Sequence, residues 1–308
     1  MNLILFDGKR RTHLLPLTFT RPVADIRIGI LTIREKWEHY FGKSSTLTEE
    51  YLSGKFPAHI SEHNILINSS VCPDEDLVKA IKELKPNEAL VAEHTIIAVV
   101  ASAVQAKAFS ETDLAGFTQR AYTHKFLQVT SLWDIFQKNG EAIEADFKLI
   151  TTGRKSAKIS ATNTVINPEN IFLEEGAKVE ASVLNATGGP VYIAKDAEVM
   201  EGSLIRGPFV LGEHSTLKMG AKIYGATTIG PHSKVGGEVN NSVIFGYSNK
   251  AHDGFLGNAV IGEWCNLGAD SNNSNLKNNY AEVKLWSYAE NTFVNTGTQF
   301  CGLIMGDH

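Results

Sequence analysis

An aliphatic residue returns every six positions through much of the second half of this 308-residue chain. Eight successive positions keep the step without a break: Ile193, Val199, Ile205, Leu211, Leu217, Ile223, Ile229 and Val235. Neither the 3.6-residue period of an α-helix nor the two-residue period of a β-strand produces a step of six. The step is typical of a parallel β-helix, in which three short strands form a triangular coil filled by inward aliphatic side chains.

The six-residue step continues on both sides of this central run. Upstream it falls on Ile159, Val165, Ile171, Ala177 and Val183, and downstream, after a small insertion, on Phe255, Ile261 and Leu267. Glycine follows several of these positions, as the tight corners of a coil require. We therefore predict a left-handed parallel β-helix of hexapeptide repeats over residues 153–308, with the hand taken from common usage rather than from the sequence. Residues 299–308 are predicted to form a further coil rather than a cap.

The first half alternates short apolar runs with amphipathic segments. The predicted strands are Leu3–Phe6, Ile65–Ile67 and Thr95–Ala101, and the predicted helices are Asp74–Lys85 and Ser131–Asn139, the second ended by Gly140. Strands that alternate with helices favour a parallel sheet with helices packed on it. We expect a Rossmann-like α/β domain over residues 1–152, with the boundary in the polar stretch 151–157.

Composition and charge exclude several classes of protein. The chain has 29 Lys and Arg against 34 Asp and Glu, a net charge of −5, and no basic patch, so no nucleic-acid partner is expected. Its longest apolar stretch, residues 96–106, is too short to cross a bilayer. The apolar run at residues 3–6 precedes the basic pair at 10–11, the reverse of a secretory signal, which predicts a cytoplasmic protein without a membrane partner. Three widely spaced cysteines give no zinc-binding pattern, so we predict no protein-built metal site.

One stretch of the second half carries a recognisable order of residues. Residues 251–276, AHDGFLGNAVIGEWCNLGADSNNSNL, contain a His, an aromatic residue three positions later, Leu-Gly and Ile-Gly pairs, and an Asn-aliphatic-Gly-Ala segment. This order resembles the acetyltransferase half of the bacterial bifunctional N-acetylglucosamine-1-phosphate uridylyltransferase/glucosamine-1-phosphate acetyltransferase family. The resemblance implies that His252 is the general base for a sugar amine and that Asn275 holds the sugar. An unperturbed imidazole titrates near pH ~6.5, so the neutral base is available at pH ~7.

The same resemblance implies an acyl-donor site and a trimer. Acetyl-CoA would be the co-substrate, the protein would be a homotrimer, and the donor or sugar region would contain Phe255, Asn266, Ala269, Lys277 and Lys284. Phe255 stands where the family has Tyr, and Asp270 stands where it has Gly. These two departures remove a hydroxyl and add a carboxylate near the expected acetyl-CoA position.

The histidines and asparagines of the second half admit other interpretations. His214, His232 and His252 each follow a predicted ladder position by three residues, and the first two, 18 residues apart, are expected to stack on one face. Histidines in this arrangement could be solvated, line a subunit interface, bind a divalent metal or act in catalysis. The segment 266–279 holds six asparagines, which favours either an excursion from a coil or a polar loop that binds sugar hydroxyls.

The start of the chain resembles the opening of sugar nucleotidyltransferases, where a strand leads into a phosphate-binding loop. Here the strand Leu3–Phe6 precedes Gly8, Thr12 and the triplet Pro16-Leu17-Thr18. Lys9 and Arg11 replace two family glycines, His13 holds the place of the catalytic Arg, Arg21-Pro22 replaces Pro-Lys, and no Asp follows Ile65–Ile67. Glycine lets phosphates approach backbone N–H groups, and cations here offset its loss. The candidate nucleotide- and substrate-binding residues are Gly8, Lys9, Arg10, Arg11, Thr12, Arg21 and Arg27.

Two functions follow from these features. In the first, the front half joins a nucleoside triphosphate to a sugar 1-phosphate with magnesium and releases pyrophosphate, and the β-helix transfers an acyl group to an amino sugar. In the second, the altered front half only binds a sugar nucleotide, and the protein is a non-catalytic trimeric assembly module. The sequence does not name the base, the sugar or the acyl donor.

Overall fold

The structure, a computed structural model, describes residues 1–308 and divides into two compact units. Unit 1 comprises Met1–Leu14, Thr18–Ile26 and Leu31–Thr130, and unit 2 comprises Leu15–Leu17, Arg27–Ile30 and Ser131–His308. The main division between these compact units falls before Ser131, and the predicted domain boundary after residue 152 remains a prediction. No helix has both the length and the apolar character needed to cross a bilayer.

Unit 1 is built on one six-stranded sheet in the order β2-β1-β3-β5-β4-β6. The strands are β1 (Asn2–Phe6), β2 (Ser44–Leu47), β3 (His63–Asn68), β4 (Glu88–Ala92), β5 (Thr95–Ser102) and β6 (Thr118–Ala121). Strands β2, β1 and β3 are parallel, whereas β5 is antiparallel to both β3 and β4. The predicted parallel sheet is thus a mixed one, because the two-residue turn Glu93-His94 joins β4 and β5 as a hairpin.

The helices of unit 1 are short, and all except the one at Glu50–Ser53 begin at a side-chain cap. They are α1 (Ile33–Phe41), α2 (Glu50–Ser53), α3 (Glu75–Lys82) and α4 (Ala103–Lys107), with 3-10 turns at Lys9–Leu14 and Val23–Asp25. The Asp74 carboxylate accepts the Leu77 N–H at 2.8 Å and starts α3, within the helix predicted over Asp74–Lys85. The 3-10 turn at Lys9–Leu14 shows that the stretch after β1 is a helical turn rather than an open glycine-rich loop.

Unit 2 contains three parallel sheets that together form a β-helix. The first sheet holds β7 (Thr164–Ile166), β10 (Val183–Asn185), β13 (Leu204–Arg206), β16 (Lys222–Tyr224), β19 (Glu238–Asn240) and β22 (Phe255–Gly257). The second holds β8 (Ile171–Leu173), β11 (Val191–Ile193), β14 (Phe209–Leu211), β17 (Thr227–Ile229), β20 (Val243–Gly246), β23 (Val260–Glu263) and β26 (Ile304–Met305). The third holds β9 (Lys178–Val179), β12 (Glu198–Val199), β15 (Thr216–Leu217), β18 (Lys234–Val235) and β21 (Asn249–Lys250).

The aliphatic ladder fills the interior of these coils. All eight positions from Ile193 to Val235 are at most 2% exposed. Further out the prediction is wrong by one residue at two positions, where Leu184 and Leu256 are buried in place of Val183 and Phe255, whereas Ile171 and Ile261 lie in the core as predicted. The reason is coil length: the paired residues Leu184 and Ile205 lie 21 positions apart, and Val239 and Leu256 lie 17 apart, so a strict step of six loses register.

Two helices precede the β-helix: α5 (Asp134–Gln137) and α6 (Asn139–Thr151). A helix lies within the predicted span 131–139, but its predicted end at Gly140 is wrong, because Gly140 lies inside α6. A Cβ at Gly140 would lie 3.3 Å from the Ala226 Cβ, so this glycine permits close approach to a coil. The Asn139 amide also donates to Ala226 O at 2.9 Å. These contacts explain why the chain from Ser131 onward belongs to the second unit.

The regular coils are followed by an excursion before the chain returns to the β-helix. Residues 264–303 include the antiparallel hairpin of β24 (Lys284–Ser287) and β25 (Thr292–Asn295). The chain then returns as β26, which pairs with β23 in the second sheet. The prediction that residues 299–308 continue the coils is confirmed for this strand.

Candidate functional site

The carboxyl ends of three adjacent parallel strands meet at one edge of the unit 1 sheet. Asp7 and Gly8 follow β1, Thr48 and Glu49 follow β2, and Ser69 follows β3. The backbone joins these ends, because Asp7 N–H donates to Leu47 O at 2.8 Å and Ser69 N–H donates to Phe6 O at 3.0 Å. The chain runs from β1 to β2 on one side and then to β3 on the other, and ligands of open α/β sheets bind at such a reversal of strand order.

Asp7 connects the loops at this edge. One carboxylate oxygen accepts the Val23 N–H at 2.9 Å, and the other accepts the Thr48 hydroxyl at 2.6 Å. Burial raises the pKa of Asp7 to about 6, although these hydrogen bonds and the neighbouring Arg11 act in the opposite direction. The sequence contains a signal for this residue, namely an Asp directly after a buried strand.

The Arg11 side chain is buried and contacts residues of unit 1 rather than solvent. Its guanidinium is 3.5 Å from the Asp7 carboxylate and donates to Thr18 O at 2.6 Å. It also lies over the Tyr51 ring, 5.5 Å from the ring centroid, and only 6% of Arg11 is exposed. Arg11 is one of the residues predicted to bind phosphate, but the Asp7 carboxylate already lies beside its charge.

The other predicted loop residues are divided between exposed and structural positions. Lys9, Arg10 and Thr12 are exposed after β1, whereas Arg21 is buried. Arg27 lies in unit 2, where its guanidinium donates to Phe245 O at 3.0 Å and to Ile30 O at 2.6 Å. Of the predicted cationic cluster, the structure leaves Lys9 and Arg10 as the exposed cations beside Gly8.

The loop after β1 carries an acidic partner that the sequence did not reveal. The Glu111 carboxylate accepts the Lys9 N–H at 2.6 Å and lies against Gly8. Glu111 comes from the stretch between α4 and β6, about a hundred residues downstream. No local pattern identified it, because only the fold brings it to Gly8.

A pocket of about 290 Å³ opens at this edge of the sheet. Its lining is Phe6, Asp7, Leu47, Thr48, Glu49, Glu50, Phe109 and Glu111. No three His, Cys, Asp or Glu side chains are arranged to hold a metal ion by themselves. Carboxylates with few other ligands suit magnesium, which is commonly held by one or two carboxylates together with substrate phosphates.

The predicted acyl-transfer residues lie on the last coils of unit 2. The His252 imidazole is exposed and makes no hydrogen bond or ion pair. Its backbone is fixed instead, because the buried Lys250 Nζ donates to His252 O at 2.6 Å and to Gly236 O at 3.1 Å. Lys250 occupies an inward position on the third sheet, and burial lowers the pKa of its amine.

Asn275 and Phe255 meet above Gly257. A Cβ at Gly257 would lie 2.7 Å from Asn275 Nδ2 and 2.5 Å from the tip of the Phe255 ring. The Asn275 amide donates to Asn258 Oδ1 at 2.6 Å. The structure thus brings these two predicted residues together, with His252 three residues before Phe255 in the chain.

The remaining residues predicted for the donor region are spread along the excursion. Asn266 accepts from the Asn249 amide at 2.9 Å, and Lys277 donates to Glu282 O at 2.9 Å. Ala269 is exposed, and Lys284 is exposed on the hairpin strand β24. No hydrogen bond or ion pair joins these four side chains into one cluster.

The asparagine segment covers the open edge of the first sheet. Asn272 Oδ1 accepts the Phe255 N–H at 2.7 Å. Asn273 Oδ1 accepts the Gly257 N–H at 3.0 Å, and its amide donates to Gly257 O at 3.0 Å. These side chains therefore replace a neighbouring strand along β22.

A column of stacked rings follows one corner of the β-helix. His214 stacks on His232, His232 on Tyr247, and Tyr247 on Trp264, with ring centroids 5.0, 5.1 and 4.8 Å apart. All four residues have positive φ, between 51° and 62°, which gives successive corners the same geometry. The predicted stacking of His214 and His232 is confirmed, and the column continues through Tyr247 and Trp264.

Comparison with known families bears on the first half of the chain. Residues 3–155 match the sugar nucleotidyl transferase family. The match covers about half of the chain, includes the whole pocket, and supports the broad family named from the sequence. A search of curated proteins gave no match.

Proposed function

We propose that the protein is a sugar nucleotidyltransferase that acts at the carboxyl edge of the unit 1 sheet. The observation that carries this proposal is the pocket beside Asp7 and Gly8, within the stretch that matches the family. A sugar 1-phosphate oxygen would attack the α-phosphorus of a nucleoside triphosphate. A new P–O bond forms, the bond between the α-phosphorus and the bridging oxygen breaks, and pyrophosphate leaves.

The residues of the loop have distinct parts in this proposal. Lys9 and Arg10 are exposed cations that attract phosphates, and the Lys9 N–H faces the pocket side of Gly8 where Glu111 lies. Asp7 orients the loops through Val23 and Thr48. When bound, magnesium would neutralise phosphate charge, with the pocket carboxylates as its protein ligands.

Pyrophosphate release tests this function. Purified protein is incubated with each nucleoside triphosphate and a panel of sugar 1-phosphates in the presence of magnesium. We expect pyrophosphate from at least one pair, and the Lys9→Gln/Arg10→Gln double variant should lower kcat/KM by about tenfold or more. Lys55→Gln, which removes an exposed cation elsewhere in unit 1, is the matched control. Stabilisation by a sugar nucleotide without any turnover would instead favour the non-catalytic binding protein.

The second activity of the resembled family, acyl transfer to an amino sugar, is proposed for the last coils of unit 2. It is supported by the approach of both Phe255 and Asn275 to Gly257, in a stretch that begins three residues after the exposed His252. Acetyl-CoA is the proposed donor and a homotrimer the proposed assembly. Acyl transfer that persists in His252→Ala would remove His252 as the base, and sedimentation of the intact protein would test the trimer.

A further inference from the structure

The contact between Glu111 and the loop after β1 is a carboxylate bound to a backbone N–H. Glu111 Oε2 lies 2.6 Å from Lys9 N, and a Cβ at Gly8 would lie 2.9 Å from each Glu111 oxygen. The carboxylate thus uses the Lys9 N–H and the bare surface of Gly8. A phosphate bound by this loop needs the same N–H and the same surface, because both anions bind through oxygen acceptors.

The segment that carries Glu111 is anchored, but the side chain is held by one bond. Phe109 packs edge-on against Phe6 with ring centroids 4.9 Å apart, and Asp113 N–H donates to Ser110 O at 3.1 Å. The Glu111 carboxylate itself makes only the bond to Lys9. Rotation of the Glu111 side chain alone would therefore free the Lys9 N–H, because no other bond of this carboxylate has to break.

The negative charge of the pocket means that rotation of Glu111 would change how strongly the pocket repels a phosphate. Asp7, Glu49 and Glu50 line the pocket together with Glu111, so an incoming polyphosphate meets four carboxylates. Outward rotation of Glu111 would remove the carboxylate that lies directly on the loop. The hydrogen bond lost by Glu111 would be replaced by one from Lys9 N–H to phosphate.

We propose that Glu111 occupies the phosphate position of the loop in the ligand-free protein and that substrate phosphate displaces it. The proposal rests on the function proposed above, since it requires that the loop after β1 binds phosphates. It makes Glu111 a positioning residue that sets the affinity of the loop for phosphate.

Calorimetric titration of the full-length protein with inorganic pyrophosphate, without magnesium and at fixed ionic strength, tests the displacement. We expect Glu111→Gln and Glu111→Ala to bind pyrophosphate at least about tenfold more tightly than the unaltered protein, because a charged hydrogen bond no longer competes. Glu50→Gln is the matched control, since it removes the same charge from the same pocket but no bond to the loop. Its gain should be smaller than about threefold.

The possible outcomes separate the two proposals. Equal gains in Glu111→Gln and Glu50→Gln would reduce the effect to pocket charge and overturn the displacement. An unaltered protein that binds pyrophosphate as tightly as both Glu111 variants would also overturn it. Pyrophosphate binding by none of the proteins would overturn the proposed function of the loop.

A second measurement without ligand checks the contact itself. The Lys9 amide resonance should lie further downfield in the unaltered protein than in Glu111→Ala, because the variant lacks the carboxylate acceptor. Identical Lys9 resonances in the two proteins would show that the contact is absent in solution and would overturn the proposal.

Discussion

Asp7 illustrates how a single residue at the site opposes stability. Its pKa is raised from 3.8 to about 6, so the folded state binds a proton more readily than the unfolded state between these values. Stability from this residue is therefore fully present below pH ~4 and is lost as pH rises through ~6. At pH ~7 the buried carboxylate costs on the order of 2–3 kcal/mol.

Asp7→Asn should remove this cost while leaving an oxygen to accept a hydrogen bond. We expect the variant to be about 2 kcal/mol more stable than the unaltered protein at pH ~7, with the difference shrinking toward pH ~4. Urea unfolding at several pH values measures both quantities. The exposed Asp76→Asn serves as the control, and a difference for Asp7→Asn that does not vary with pH would contradict the assignment.

The same residues show where sequence reasoning succeeds and where it stops. Gly8, Lys9 and Arg10 are predicted in a loop after a buried strand, and they do follow β1, with Lys9 and Arg10 in a 3-10 turn. Arg11 and Arg27 looked like ligand-binding cations but match acceptors within the protein. A sequence shows that a cation is present, but it does not show which acceptors the fold brings to that cation from distant positions. Glu111 was missed for the same reason, because it lies about a hundred residues after Lys9.

The stacked corner is an element whose stability is testable. Tyr247 contacts both His232 and Trp264, so Tyr247→Ala removes two stacked pairs, each typically contributing about 0.5–1.5 kcal/mol. We expect a loss of about 1–3 kcal/mol in the free energy of unfolding, measured by denaturant titration. Tyr280→Ala is the control, because Tyr280 is also exposed at positive φ but has no ring partner. Equal losses in both variants would show that the stacking adds nothing.

The asparagine edge of the first sheet makes a separate prediction. Asn273→Ala removes both side-chain hydrogen bonds to Gly257, and each is expected to contribute about 0.5–1.5 kcal/mol. The Gly257 amide should then exchange its hydrogen about ten times faster or more than in the unaltered protein. Asn278→Ala, an exposed asparagine of the same segment, should leave that rate unchanged. If the Gly257 N–H exchanged at the same rate in Asn273→Ala as in the unaltered protein, the Asn273 side chain would not protect this strand.

At the scale of the whole molecule, the family match and the compact units end at different residues. The match runs to residue 155, whereas α6 belongs to the unit that contains the β-helix. A fragment of residues 1–155 therefore lacks Ala226 and Thr228, the acceptors of the Asn139 amide. We expect α6 amides to be protected from hydrogen exchange in the full chain and unprotected in the fragment. Equal protection in the two would show that α6 is stable without the coils.

The β-helix was predictable because its interior repeats a simple physical requirement at a fixed step. The central positions, Ile193 to Val235, needed no information from elsewhere in the chain. The shifts at Leu184 and Leu256 were not predictable, because corner lengths change without changing the apolar character of the neighbouring residues. Helix α6 was missed because Gly140 was interpreted as a stop, whereas the close approach of Ala226 explains it.

The side chains that follow β22 also affect how copies of the chain meet. An open edge of a parallel sheet is a template on which a strand of another molecule can add, the first step in fibril growth. At β22 the amide oxygens of Asn272 and Asn273 already accept the N–H groups of Phe255 and Gly257. An incoming strand would have to remove both asparagines before it could pair. The first sheet is thereby protected at β22 against aggregation by strand addition.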